Sequence, residues 1–452
     1  MKMLDILLVN GRYPDYDDDS IKAGNIGIEG RTIAYIGNDT PDSGLTIDVK
    51  GKIVSPGFID IHMHEEDFGR DGKRFIISQR MLEMGVTTVC GGNCGHSRQP
   101  LAEFKRVLNE LGGAPVNYCM QSGYNSLRTR DGLGPHQQST EAQRERYREE
   151  LRKELAEGSF GISFGIEYDP AISFDEMLFA VSASEDSNHL VSAHYRNDAV
   201  LNLDPVREMI RLSREIRPRF QISHLSSCSA FRNMREALEL IADAKKTDPG
   251  LDFDTYPYHA FSCSLGSTVF DDGCFEAWQK SYGDVLLTGE PYKNVYCTKE
   301  IFRDARKNYP NMLAVAFVLD ENDIELAVNS KMGMIASDGL LRGGNGHPRA
   351  AGTFPRVLGR YVREKQSITM MDALRKMTKT PADRLRLFSK GQIKEGYDAD
   401  ITVFDPETII DKADFGSLER PEGIDYVFIG GDMAIEKGET INQRLGRFIA
   451  FS

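Results

Sequence analysis

Residues 57–69 read GFIDIHMHEEDFG, and the spacing of their two histidines decides how the rest of the chain is read. Successive side chains of a β-strand point to opposite faces, so positions two apart share a face. With Phe58 to Met63 as a strand, His62 and His64 project the same way near its end, just ahead of three acids. Two converging imidazoles suit a bound cation. An HxH pair by itself is equally well explained by two solvated or core-satisfied histidines, so the decision falls to the remaining sequence.

From Gly57 to about Phe388, short apolar runs alternate with longer helical patterns. The runs include GVTTVCGGN, GISFGIEY, LVSAHYR, RFQISHLSS, LDFDTYPY and MGMIASDG, separated by segments such as AEFKRVLNEL and NMREALELIADAKK. Strand then helix in series predicts parallel β/α units, and this many favour an α/β fold of the closed (β/α)8 TIM-type. Residues 1–56 and 389–452 read instead as short strands with Gly- and Asp-rich turns. They are expected to pair into one small β-domain beside a barrel at 57–388, with an insertion at about 264–330 over the barrel mouth. DYDDDS, residues 15–20, lacks the Gly and terminal Glu of a calcium loop and reads as a solvated turn.

Ligand-type residues recur at the same places. Cys94 follows GVTTVCGGN, His194 ends LVSAH, His224 ends FQISH and Asp338 ends MGMIASD. Each falls at the C-terminal end of an expected strand, the barrel face on which catalytic groups gather. Packing alone would scatter His62, His64, Cys94, His194, His224 and Asp338 between faces. A thiolate with imidazoles is a zinc-like set, whereas Mg²⁺ and Ca²⁺ want oxygen ligands. Zinc polarises carbonyls and acidifies water, and a nearby carboxylate can carry the water's proton to a leaving amine. Asp338 is the candidate base, and the expected reaction is hydrolysis of a C–N bond.

Composition excludes other classes. The chain's 452 residues carry a formal charge of −13, spread along the sequence. That opposes a nucleic-acid partner, which wants a basic face, and an anionic membrane surface. No apolar stretch approaches the roughly 20 residues of a membrane span. The opening MKMLDILLVN has an acid inside its apolar run and no small-residue cleavage site, so no signal peptide is expected. Seven cysteines without a CxxC pair point to thiols in a reducing cytoplasm. No oligomeric state follows from the sequence.

PGFIDIHMH, the strand-end histidines and ASDG together resemble the metal-dependent amidohydrolase superfamily. GGNCG, FDTYPY and HPRAAGTFPRVLGRYVRE resemble its D-aminoacylase branch, the N-acyl-D-amino-acid deacylases, and the resemblance extends to the closing GQIKEGYDADITVFDP. It implies a tightly held zinc on Cys94, His194 and His224. It also implies a second, weaker or vacant position near His62, His64 and Asp338, with Cys94 able to bridge. Many superfamily members bridge two metals with a carboxylated lysine after the fourth strand; GISFGIEYDP offers no lysine, and Cys94 takes that place. Contacts to a substrate carboxylate are implied at Tyr168, Tyr256 and Arg349.

One position departs from the branch. Its members usually carry a lysine two residues after the histidine matching His224, and here that residue is Ser226. Arg196, in HYRND, is the candidate for a compensating cation. The expected activity is deacylation of a small N-acyl-D-amino acid or a related amide. The rivals are a cyclic amidase of dihydroorotase or hydantoinase type and a non-catalytic barrel scaffold. His96, His136, His189, His259 and His347 read as ordinary surface or core residues, His96 lying two positions from Cys94.

Overall fold

The computed structural model describes residues 3–197 and 203–452. Its centre is a run of parallel strands in chain order. Phe58–Asp60, Val86–Gly91 and Asn117–Met120 form one sheet. Ser122–Gly123, Gly161–Gly165, Leu190–His194, Arg219–Ile222, Leu251–Thr255 and Met334–Ile335 form the next. Central strands such as Gly161–Gly165 and Leu190–His194 are buried at every position, as expected where both faces are covered. Past the last strand, Asp338 N donates to His62 O at 2.8 Å and His64 N to Gly339 O at 2.9 Å. The segments carrying the two histidines and the candidate base are therefore joined backbone to backbone.

Helices between the strands form for local reasons. Leu101–Glu110 buries Leu101, Phe104, Val107 and Leu108, which is one helical face. Thr140 and Gln143 make a reciprocal capping box that starts Glu141–Ala156. The two short strands within residues 117–123 are absent from the apolar runs of the sequence because their polar residues, with Gln121 between them, are satisfied inside the fold. Asn117 Nδ2 donates to Asp400 at 3.1 Å, Gln121 Nε2 to Leu190 O at 2.9 Å, and Ser122 Oγ to Ser159 Oγ at 3.0 Å.

Both chain ends contribute to a nine-stranded sheet, joined where Ile53–Pro56 pairs antiparallel with Ile401–Phe404. Leu8, Ile26, Ile28, Val54, Ile401, Val403 and Phe428 form its own apolar core. DYDDDS is the turn between the first two strands, Leu4–Asp15 and Ser20–Glu29. The last residues leave this sheet. Gly446 and Phe448 bridge Ala114 and Tyr118, and the Phe451 ring packs on Phe160 and His189, burying apolar surface against the parallel strands.

The insertion is a separate antiparallel sheet of Phe261–Ser264, Leu313–Ala316, Val285–Leu287 and Val295–Tyr296. It starts slightly before the expected boundary and is filled by Phe261, Phe270, Phe275, Trp278 and Phe302. No disulfide joins the seven cysteines. Among the described residues, no helix is long and apolar enough to cross a membrane.

Candidate active site

Five of the six expected ligand residues come from strand ends that open on one side, and the sixth, Cys94, sits in the loop after Val86–Gly91. His62, Cys94, His224 and Asp338 are buried, with one ligand atom each lying within 4.8 Å of all the others. Cys94 Sγ is 3.3 Å from His62 Nε2 and 3.2 Å from His224 Nε2. Ligand atoms about 2.0–2.3 Å from a tetrahedral zinc stand roughly 3.3–3.8 Å apart, so the donor set and its spacing fit that ion. His64 Nε2 joins through Asp338 Oδ1 at 3.2 Å. His194 packs its ring 4.5 Å from that of His224 and groups with His224 and Cys228. Cys228 lies outside the set expected from the sequence; its only signal there is its position four residues after His224.

Charge in the cluster is arranged for a cation. Burial pushes the Cys94 thiol up, but the imidazoles of His62 and His224 outweigh it and bring the thiol well below its ordinary value. Burial likewise pushes Asp338 up, yet the Arg349 guanidinium and the His224 and His64 imidazoles hold it well below the usual carboxylate range. His62 resists burial through Asp254 and Cys94 and is held well above its ordinary value.

The surrounding groups aim these side chains. Asp254 Oδ1 lies 3.1 Å from His62 Nδ1 and accepts from His224 N at 2.8 Å. Glu167 Oε2 lies 2.9 Å from His194 Nε2, and Ser227 Oγ lies 2.6 Å from His224 Nδ1. A partner on one ring nitrogen fixes the tautomer and orientation of a ligating histidine. The acids after the HxH pair are clamps. Glu65 accepts from Gly92 N at 2.8 Å and Arg98 N at 2.6 Å, holding the Cys94 loop. Glu66 accepts from Ile76, Ile77 and Ser78, and burial pushes its carboxyl up to about 7.

Three site residues hold left-handed backbone without being glycine: Cys94 at φ 53°, His224 at 31° and Asp338 at 48°. Such conformations cost of order 1–3 kcal/mol each and concentrate at functional sites. Gly95, at φ 74°, continues the Cys94 turn, and a Cβ there would lie 1.8 Å from Asn125 Oδ1. Asn125 is held by bonds to both Gly165 N and Gly165 O, so it has little room to give. Gly95→Ala is expected to cost about 1–3 kcal/mol of stability through overpacking and to weaken zinc retention by moving Cys94. Urea denaturation and chelator competition measure the two effects.

A cavity of about 440 Å³ opens on the cluster, lined by His64, Tyr168 and Asp338 among others. Arg349 lies behind them, 2 % exposed, with Nη2 2.9 Å from Asp338 Oδ2 and its guanidinium 4.7 Å from the Tyr256 ring centre. Arg349 Nε and Nη1, Tyr256 Oη and Ser262 Oγ are buried without a hydrogen-bond partner. Buried donors of this kind call for a ligand or ordered water. The Tyr168 ring lies 4.7 Å from that of His194.

Two expected substrate residues sit elsewhere. Arg196 is committed to Glu208 and to the carbonyls of Pro170 and Ile172, because a half-buried guanidinium needs those acceptors. It does not reach the cavity as a compensating cation. Ser226 Oγ is fully buried and accepts from Tyr256 N at 3.3 Å, so it braces Tyr256 from behind.

A model of the amidohydrolase family matches residues 53–211 and 298–434. A D-aminoacylase of Alcaligenes xylosoxydans xylosoxydans is 30 % identical, covering 99 % of this chain and 97 % of its own. Among solved structures, a D-aminoacylase described as defining a novel subset of amidohydrolases superposes with a TM-score of 0.87 at 29 % identity, over 98 % of this chain and 99 % of that one. An N-acyl-D-glutamate deacylase from Bordetella bronchiseptica, complexed with zinc and a phosphonate mimic of the tetrahedral intermediate, gives 0.87 at 25 % identity, over 99 % of this chain and all of that one. With the strand-end histidines, the thiolate and the buried acid already in place, the chain belongs to the amidohydrolase family.

Proposed function

We propose that this chain is a zinc-dependent hydrolase that releases D-amino acids from their N-acyl derivatives. The observation that carries the reading is the set of unpartnered donors on Arg349 and Tyr256, buried against a Cys–His–Asp cluster that fits zinc. A free α-carboxylate beside the scissile amide satisfies those donors. A cyclic imide has no such group, and a scaffold has no use for strained, buried ligand residues. The D-aminoacylase and deacylase relatives support the same reaction.

In this proposal the strands close as a (β/α)8 barrel of eight, residues 117–123 counting as one strand interrupted at Gln121. The barrel spans 57–388, and the ends at 1–56 and 389–452 form the small β-domain except for the last residues, which pack on the barrel strands. Cys94, His194 and His224 hold one tight zinc, with a weaker position at His62, His64 and Asp338. The absence of disulfides suits a reducing cytoplasm.

What zinc supplies when bound is Lewis acidity toward a carbonyl and toward water. The chain supplies the rest. Asp338 takes the proton of the attacking water and delivers it to the departing amine nitrogen. Arg349 and Tyr256 hold the α-carboxylate, and Tyr168 borders the amide from the cavity side.

A charge-assisted bond of this kind contributes roughly 1.5–3 kcal/mol. Arg349→Met is therefore expected to lower kcat/KM for N-acyl-D-amino acids by about one to two powers of ten, and to matter far less when the α-carboxylate is amidated. Equal losses on both substrate types would remove Arg349 from carboxylate recognition.

A further inference from the structure

Beyond the buried cluster, the cavity has a second charged end. Arg98, from the loop that carries Cys94, and Arg342, from the hairpin after Asp338, line the same cavity as His64, Tyr168 and Asp338. Both are half-buried. Arg342 Nη1 donates to Asn311 O, its Nε is buried without a partner, and no bond is formed by the Arg98 guanidinium among the described residues. Neither has a carboxylate within ion-pairing distance among those residues, unlike the buried arginine beside the cavity, Arg349, which pairs with Asp338. Burial and the repulsion of Arg98 and Arg70 push Arg342 down to about 10, against the weaker attraction of Asp67.

The cavity's acids do not neutralise this end. Asp169 is occupied by Arg128 and Asn125, and Asp338 by His64 and Arg349. The same cavity is lined by the small polar residues Ser262, Ser264, Ser267 and Thr268 and by the apolar Leu133, Pro135, Pro310 and Leu340. Arg349 sits at the buried end and is spoken for by the α-carboxylate in the proposed function, on which this inference rests.

We propose that Arg98 and Arg342 form a distal anion subsite, so that the preferred substrate carries a second carboxylate beyond the one at its α-carbon. Two sources have that chemistry: an acidic D-side chain, or an acyl group derived from a dicarboxylic acid. An arginine pair binds either by charge-assisted hydrogen bonds.

The test compares kcat/KM of the zinc-loaded protein on N-acetyl-D-glutamate against its neutral isostere N-acetyl-D-glutamine, and on N-succinyl-D-leucine against N-acetyl-D-leucine. A preference of tenfold or more for the charged member of one pair is expected, and which pair shows it names the source. In the Arg98→Met/Arg342→Met double variant that preference should fall toward parity. Preference for the neutral members, or a charged preference that survives the double variant, would overturn the subsite. Calorimetric binding of D-glutamate against D-glutamine, and of succinate against succinamate, reads both sources without turnover. A charged preference there without hydrolysis of any N-acyl-D-amino acid would uphold the subsite and reject the deacylase reading. Hydrolysis of neutral substrates without any charged preference would do the reverse.

Discussion

Asp338→Asn is expected to lower hydrolysis of an N-acyl-D-amino acid by about 10²-fold or more, because the amide cannot accept the water's proton. The structure adds a second consequence. Asp338 is the counter-ion of Arg349, which is 2 % exposed, and the pair is 2.9 Å apart. Removing one charge of a buried pair costs about 3–5 kcal/mol when the other is left uncompensated. The Asn side chain keeps an acceptor oxygen, so a loss at or below the lower end is expected. Urea denaturation checks it and establishes that the assayed variant is folded. Turnover near that of the unaltered protein would assign the proton transfer to another group.

Cys94→Ala is expected to be more severe still, removing metal and activity together. Its sulfur lies 3.2–3.3 Å from two imidazole nitrogens and has no substitute within the quartet. Loss of a group that merely supports a ligand costs 10–100-fold in metal affinity. Loss of the thiolate itself should therefore exceed about 10²-fold and leave purified protein nearly free of zinc. Elemental analysis beside a turnover assay reads both. Full zinc content in the variant would move the metal to other residues.

Much of this site is legible in the amino-acid sequence, because its chemistry is concentrated in residue types that have few other reasons to share strand ends. Position alone marks His62, Cys94, His224 and Asp338, and the fold gathers them. What stays hidden is set by tertiary contacts. The segment at 117–123 is polar in sequence because Asn117, Gln121 and Ser122 bond inside the fold. Glu167 and Asp254 carry no local signal of His194 and His62, the distant histidines they orient. Arg196 reads as a substrate cation because it follows a strand-end histidine, but side-chain direction turns it to Glu208. The last residues read as part of the terminal sheet, yet Phe451 is held by Phe160 on the parallel strands.

The central claim is that zinc, held by this cluster, serves hydrolysis of a linear amide next to a free carboxylate of D configuration. Release of amino acid from N-acetyl-D-methionine by the purified, zinc-loaded protein tests it most directly, beside N-acetyl-L-methionine and a hydantoin. The account predicts release from the D compound, slower release from the L compound, and loss of both on chelation. Ring opening of the hydantoin without release from either linear amide would contradict it.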